Sequence, residues 1–268
     1  VKNWPPALQY AAKSLKADRK VVLAAVKQKG WALEYADKSL KADREVVLAA
    51  VKQYGPALEH ADKSLQADRD IVFAAVKQHY TALEYAAKAL MADREIMLTA
   101  VKQRWRALEH ADESLRVDRK FMLEVMKEDG ETLEYADDSL KADREFMLKV
   151  VKKEGWALLF AAKALKADRE IVLAAVKNFG RAFLAADKSL KVDAGFVLEA
   201  MKENGEMDYT APAGVLEYAD ETLKADRDFV LEAVKINDSL RSVDWISSLV
   251  ISGAKLVRLN IWAYGVEL

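Results

Sequence analysis

Cysteine is absent from all 268 residues. That excludes disulfides and thiolate metal sites, and it leaves the redox compartment open. No run of about 18 apolar residues occurs, so no segment is long and apolar enough to cross a bilayer as a helix. Charge of one sign is lacking too: 42 Lys and Arg stand against 43 Asp and Glu. No bulk field therefore draws in nucleic acid or anionic lipid. The balance is uneven along the chain, with eight bases against three acids in residues 1–40 and four against eight in residues 115–139. Patterns of the GxGxxG, P-loop, HExxH and GxSxG kinds are missing. So is an initiating Met: the chain begins at Val1, partway through a repeating unit, as a processed or truncated product would.

What is present is a repeat. Leu recurs at Leu15, Leu40, Leu65, Leu90, Leu115, Leu140, Leu165 and Leu190, each 25 residues after the last, and again at Leu223, displaced by eight. A fixed period in this range is the signature of a solenoid, in which neighbouring units bury one another. The run from Leu40 to Ser64 serves as the reference copy. Asp43 stands ahead of an apolar stretch, where a carboxylate caps the first helical turn. The same Asp recurs at Asp18, Asp68, Asp93, Asp118, Asp143, Asp168, Asp193 and Asp226. Gly55 is expected to end the first helix in a left-handed conformation, and a second helix is expected over Pro56 to Ser64.

At about 100° per residue, Val46, Val47, Leu48, Ala50 and Val51 spread over roughly 200° of the first helix. So wide an apolar face needs cover from both neighbouring units. The second helix carries a narrower stripe of Ala57, Leu58, Ala61 and Leu65, in which the small Ala61 recurs in every copy as a close-approach position. The expected fold is all-α: an α-solenoid of short antiparallel helix pairs, about eight to nine 25-residue units. The array is expected over residues 1–236, with an insertion at 207–214. Residues 237–268 form a non-repeat C-terminal segment, either a cap over the last unit or a docking segment.

The repeated string Leu-Lys-Ala-Asp-Arg-Glu-x-Val-Leu-x-Ala-Val-Lys-x-x-Gly-x-Ala-Leu-x-Tyr-Ala resembles the domain-of-unknown-function 4116 repeat family. The resemblance covers about residues 4–236 and leaves out the insertion and the tail. It implies a tandem repeat scaffold, as found in protists, algae and some intracellular bacterial pathogens. It brings no activity, because the family has no established catalytic residues.

No constellation in the sequence calls for an enzyme, and neither a cofactor nor a metal is expected. His60 and His110 occupy a slot filled elsewhere by Tyr, two units apart and about 20 Å from each other, too far to share a zinc ion. The carboxylates Glu34, Glu59, Glu84, Glu109 and Glu134 repeat with the unit, whereas an acid–base pair needs a unique environment. The function expected is a non-catalytic protein–protein interaction scaffold, such as an accessory subunit peripherally attached to a larger assembly. The alternative is a nucleic-acid-binding array that tracks phosphates with the row Lys27, Lys52, Lys77, Lys102, Lys127, Lys152, Lys177, Lys202 and Lys235. A salt-bridged surface is the favoured reading of that row, with the Glu row as its neutraliser.

Partner recognition is expected where the copies differ, in the link between the two helices. There Tyr54, His79, Tyr80, Arg104, Trp105 and Arg106 supply residue types common at binding hot spots. A second patch is expected at Leu159 and Leu184, which replace Glu in two successive units. A soluble protein, intracellular or organellar rather than secreted, fits this composition; the compartment is not specified by it.

Overall fold

The computed structural model describes residues 7–204, 214–237 and 240. Among them every regular element is helical. The insertion expected over 207–214 and the segment expected over 237–268 lie outside the described residues, save for Gly214, Asn237 and Leu240. The chain divides into two compact units, Val1–Asp137 and Asp138–Leu268.

Each unit is built from the same repeat, but the repeat holds three elements where a helix pair was expected. In the Asp43 repeat these are a ten-residue α-helix, Arg44–Gln53, a 3-10 helix, Gly55–His60, and a four-residue α-helix, Lys63–Gln66. Asp43 opens the first, accepting from the amides of Glu45 at 2.9 Å and Val46 at 3.1 Å. The expected second helix breaks where the amide after the close-approach Ala donates to the preceding repeat's short helix, Ala87 to the Gln66 carbonyl and Ala162 to the Lys141 carbonyl at 2.9 Å; in this repeat a second cap adds to that tie. Asp62 accepts from the Ser64 amide at 3.0 Å and its hydroxyl at 2.6 Å, and Ala61 turns extended ahead of it (φ −72°, ψ 153°). Short polar side chains offer the backbone this alternative to continuous helix. Ala61 therefore sits at the break between two helices, not in the middle of one, and is buried there, as Ala36 and Ala111 are.

Long helices stack on long helices and 3-10 helices on 3-10 helices within each unit. Val46, Val47, Ala50 and Val51 are fully buried as a result, as the wide apolar face required. Polar contacts join the repeats as well. The amide of Asp62 donates to the Lys41 carbonyl of the preceding repeat at 2.9 Å, and Asp187 to Lys166 at 2.8 Å. A second tie runs through arginine. Arg19 reaches forward to Asp43 at 2.7 Å and Glu45 at 2.5 Å, Arg44 to Asp68 at 3.1 Å and Asp70 at 2.9 Å, Arg69 to Asp93 and Glu95 at 2.6 Å. The second unit repeats the pattern with Arg144 on Asp168 at 2.8 Å and Arg169 on Asp193 at 2.7 Å. Each such Asp caps its own helix with one oxygen and receives the preceding repeat's guanidinium on the other. The Arg19 hydrogen bond, with help from the capped amides, holds the Asp43 carboxyl below its usual range.

The link glycines do not take the expected left-handed conformation. Among the described residues only Gly214 has a positive φ, at 50°. Gly30 is needed instead for close approach. A Cβ there would run into the Ala50 carbonyl of the next repeat and stand 2.8 Å from the Tyr54 Cβ. Behind Gly30 and Gly55 the next long helices run ten residues. Behind Tyr80 and Trp105 they stop at Val101 and Val125, after eight and seven. The length of the next long helix does not follow the link glycine alone: behind Gly130 it also runs only eight residues, Arg144–Val151. In the shorter helices Gln103 turns its amide back to the Ala100 carbonyl at 3.0 Å, as Lys153 does to Val150 at 2.9 Å, tightening the last turn.

Candidate interaction surfaces

The link between the long helix and the 3-10 helix recurs at the same edge of every repeat. In the first unit it places Tyr54, His79 and Arg104 one repeat apart, each as the extended residue that ends a long helix's turn or opens the 3-10 helix. All three are exposed, Tyr54 to 44%. Tyr80 and Trp105 follow in the glycine position and are half-buried. The His79 ring stacks on Tyr80 at 5.1 Å, and its Nδ1 lies 2.8 Å from the Thr81 hydroxyl. Trp105 leans on Tyr135 at 5.7 Å, while the Arg106 guanidinium lies 5.1 Å over the indole. A cation held over an indole is already oriented before anything binds. Gln103 fixes the Tyr80 backbone by accepting from its amide at 2.9 Å and donating to the Val76 carbonyl at 2.6 Å. The first unit thus gathers the six link residues onto one edge, with the Tyr80 and Trp105 rings braced and Tyr54 and Arg104 outermost.

Leu159 and Leu184 belong to the second unit and are 50% and 55% exposed. They stand on 3-10 helices in the row occupied elsewhere by Glu34, Glu59, Glu84, Glu109 and Glu217, all exposed. Beside them the Lys166 ammonium donates to the Leu159 carbonyl and the Lys191 ammonium to the Leu184 carbonyl, each at 2.7 Å. These lysines close off carbonyls that the end of a short helix leaves without partners. Gln66 does the same work in the first unit, donating to the carbonyls of Leu58, Glu59 and Ala61 at 2.9–3.2 Å. Burial pushes the Lys191 pKa down, against the pull of Asp187.

The Lys row on the long helices and their ends is exposed throughout. Three of its members reach carboxylates that do not belong to the Glu row: Lys102 is 3.9 Å from Glu128, Lys177 2.9 Å from Glu203 and Lys235 2.6 Å from Glu232. His60 and His110 are half-buried in the aromatic slot, His110 3.4 Å from Glu109. Among the described residues no three His, Asp or Glu side chains gather as a metal site would need, and no helix is long and apolar enough to cross a membrane.

The forward-reaching arginines and the lysines folded onto carbonyls escape a reading of the sequence by single units. Their signal is a complementary pair at a spacing near the period: an Arg in most copies, with an Asp 24 residues on and, behind Arg19, Arg44, Arg69 and Arg144, a second acid 26 residues on. An all-α array of three-element repeats is the class that this geometry defines. The model of one family, a domain of unknown function (DUF4116), matches residues 1–41, 43–91, 79–116, 93–141, 118–166, 143–191, 168–209 and 193–244, and the chain belongs to that family. No curated protein and no solved structure matches it.

Proposed function

We propose that the protein is a non-catalytic interaction scaffold, an accessory component of a larger protein assembly, and that its first unit recognises a protein partner along the link edge. The observation that carries this is the pair of braced, outward-facing clusters in consecutive repeats, His79 on Tyr80 and Arg106 on Trp105. Rings held by neighbours lose little freedom on binding, and Tyr, Trp and Arg are the types whose truncation costs most at interfaces. Tyr54 and Arg104 extend the edge on either side. Repeated carboxylates in equivalent surroundings support no acid–base pair, and the reading assigns no catalytic residue, cofactor or metal.

The test uses the exposed members, whose removal leaves the packing intact. The partner is captured from the native source by cross-linking and identified by mass spectrometry, then rebound to purified variants. Tyr54→Ala with Arg104→Ala is expected to weaken binding at least about tenfold, the loss expected when hot-spot residues are truncated. Unchanged affinity in that variant would remove the link edge from the interface. The Lys row supports the second reading, nucleic-acid binding, because Lys27, Lys52 and Lys77 are exposed in register with no carboxylate in ion-pair range among the described residues. That reading requires retention of single-stranded RNA at low salt with steep loss as salt rises. Its absence removes this alternative and leaves the first untouched.

A further inference from the structure

The second unit carries a surface of different chemistry. In most repeats the face that runs from the end of the 3-10 helix into the short helix is balanced or acidic. Glu34 and Asp37 meet Lys38 and Lys41 in one copy; Glu217, Asp220 and Glu221 meet Lys224 in another. In two successive copies the balance is lost. One presents Leu159, Ala162, Lys163 and Lys166, the next Leu184, Asp187, Lys188 and Lys191. Four cations face one carboxylate there, and two half-exposed leucines replace the acids.

All four lysines line a groove of about 570 Å³, with Ala185 and Tyr218 among its other walls. Asp187, Asp220 and Glu221 line the same groove, each with a partner of its own. Asp187 accepts from the Ser189 amide and hydroxyl at 2.9 and 2.8 Å, Asp220 from those of Thr222 at 3.0 and 2.7 Å, and Glu221 takes the Lys224 ammonium at 2.9 Å. Lys163 and Lys188 have no carboxylate in ion-pair range among the described residues. Lys166 and Lys191 each spend one donor on a chain carbonyl and keep the rest.

We propose that this groove docks an acidic peptide segment bearing aliphatic or aromatic side chains, its carboxylates on the four lysines and its apolar side chains on Leu159 and Leu184. The lining keeps an excess of one positive charge, four lysines against three carboxylates, which favours an acidic occupant, and the exposed leucines select one that is also apolar. A peptide fits better than a bilayer, because Lys166 and Lys191 hold their ammonium groups back against the groove walls. A flat anionic surface would reach Lys163 and Lys188 and leave the groove unfilled.

The full chain is titrated with the fluorescent peptide acetyl-Glu-Asp-Leu-Glu-Phe-Asp-Glu-Leu and followed by anisotropy. Two control peptides replace its apolar residues by Ser or its acids by Lys. The parent peptide is expected to bind at least about tenfold more tightly than either control, and less tightly as salt rises. Leu159→Glu with Leu184→Glu restores the residue that other repeats carry at this position, so it folds, and is expected to lose at least that factor. Lys163→Ala with Lys188→Ala is expected to weaken binding severalfold and flatten the salt dependence. Tyr54→Ala with Arg104→Ala, in the other unit, is expected to bind the peptide as the parent chain does. Equal affinity for the three peptides, or unchanged binding in the leucine variant, would overturn the proposal. So would sedimentation with phosphatidylserine vesicles without peptide binding, which would assign the face to a membrane.

Discussion

Replacing Gly30 by Ala isolates the close approach between repeats. The added Cβ would collide with the Ala50 carbonyl and stand 2.8 Å from the Tyr54 Cβ and 2.9 Å from its amide nitrogen. None of these atoms is the free end of a flexible side chain, so the backbone of the next repeat has to move. Forced overpacking of this kind costs about 1–3 kcal/mol. The same substitution makes the unfolded chain less free, which returns about 0.4–1 kcal/mol, since Gly30 has no positive φ that only glycine tolerates. A net loss of up to about 2.6 kcal/mol remains. With a denaturant slope near 3 kcal/mol per molar, this lowers the urea midpoint by up to about 0.9 M. The last turn of the long helix Arg44–Gln53 is expected to loosen, because the Ala50 carbonyl and Tyr54 have to move. Amide exchange at Tyr54 reports this, because its amide donates to the Ala50 carbonyl at 2.9 Å. Gly195→Ala is the control. Its Cβ would meet only an Asp193 oxygen, at 3.4 Å, and helix propensity favours Ala there by up to about 1 kcal/mol. If Gly30→Ala shifts the midpoint upward as Gly195→Ala does, the close-approach account is wrong.

Asp68→Ala removes the cap on the amides of Asp70 and Ile71 together with the Arg44 contact, and is expected to cost about 0.5–2 kcal/mol. Asp70→Ala, at the exposed end of the same guanidinium, is expected to stay within about 0.5 kcal/mol; equal midpoint shifts would deny Asp68 its double role. Acid stability follows from the depressed carboxyls: the Arg19 hydrogen bond lowers Asp43, and the Ser64 and Ser114 hydroxyls with their amides lower Asp62 and Asp112. Groups depressed on folding contribute stability that is complete above their unfolded pKa near 3.9 and is lost as pH falls through the folded values. The thermal midpoint is therefore expected to be flat from about pH 8 to 5 and to fall below about pH 4, and a decline already between pH 7 and 5 would refute this account.

The period, the helical class and the cap on every long helix were legible because each rests on residue type at fixed spacing. The 3-10 element was not. A stripe of Ala57, Leu58, Ala61 and Leu65 suits one α-helix as well as a 3-10 helix, a break and a short helix, and what decides is a backbone bond to the preceding repeat, such as Asp62 to Lys41, that no single copy shows. Glycine misled for a related reason: a residue that permits a left-handed turn also permits a neighbour's carbonyl to come close. The link residues were found from their variability, and the structure adds how Tyr80 and Trp105 are braced. The groove beside Leu184 was hidden, because it forms only when Lys163 and Lys166 of one copy meet Lys188 and Lys191 of the next.

The arginine ties give the array a direction in time. Arg44 finds its partners at Asp68 and Asp70, which leave the ribosome 24 and 26 residues later. At about 5–20 residues per second that is a delay of roughly 1–5 s, long compared with the closing of a helix. Each new segment can therefore sample its helix quickly, but a ten-residue helix is marginal alone and is fastened only when the following copy arrives. Docking trails synthesis by one copy, and the segment left exposed at any moment is the newest one.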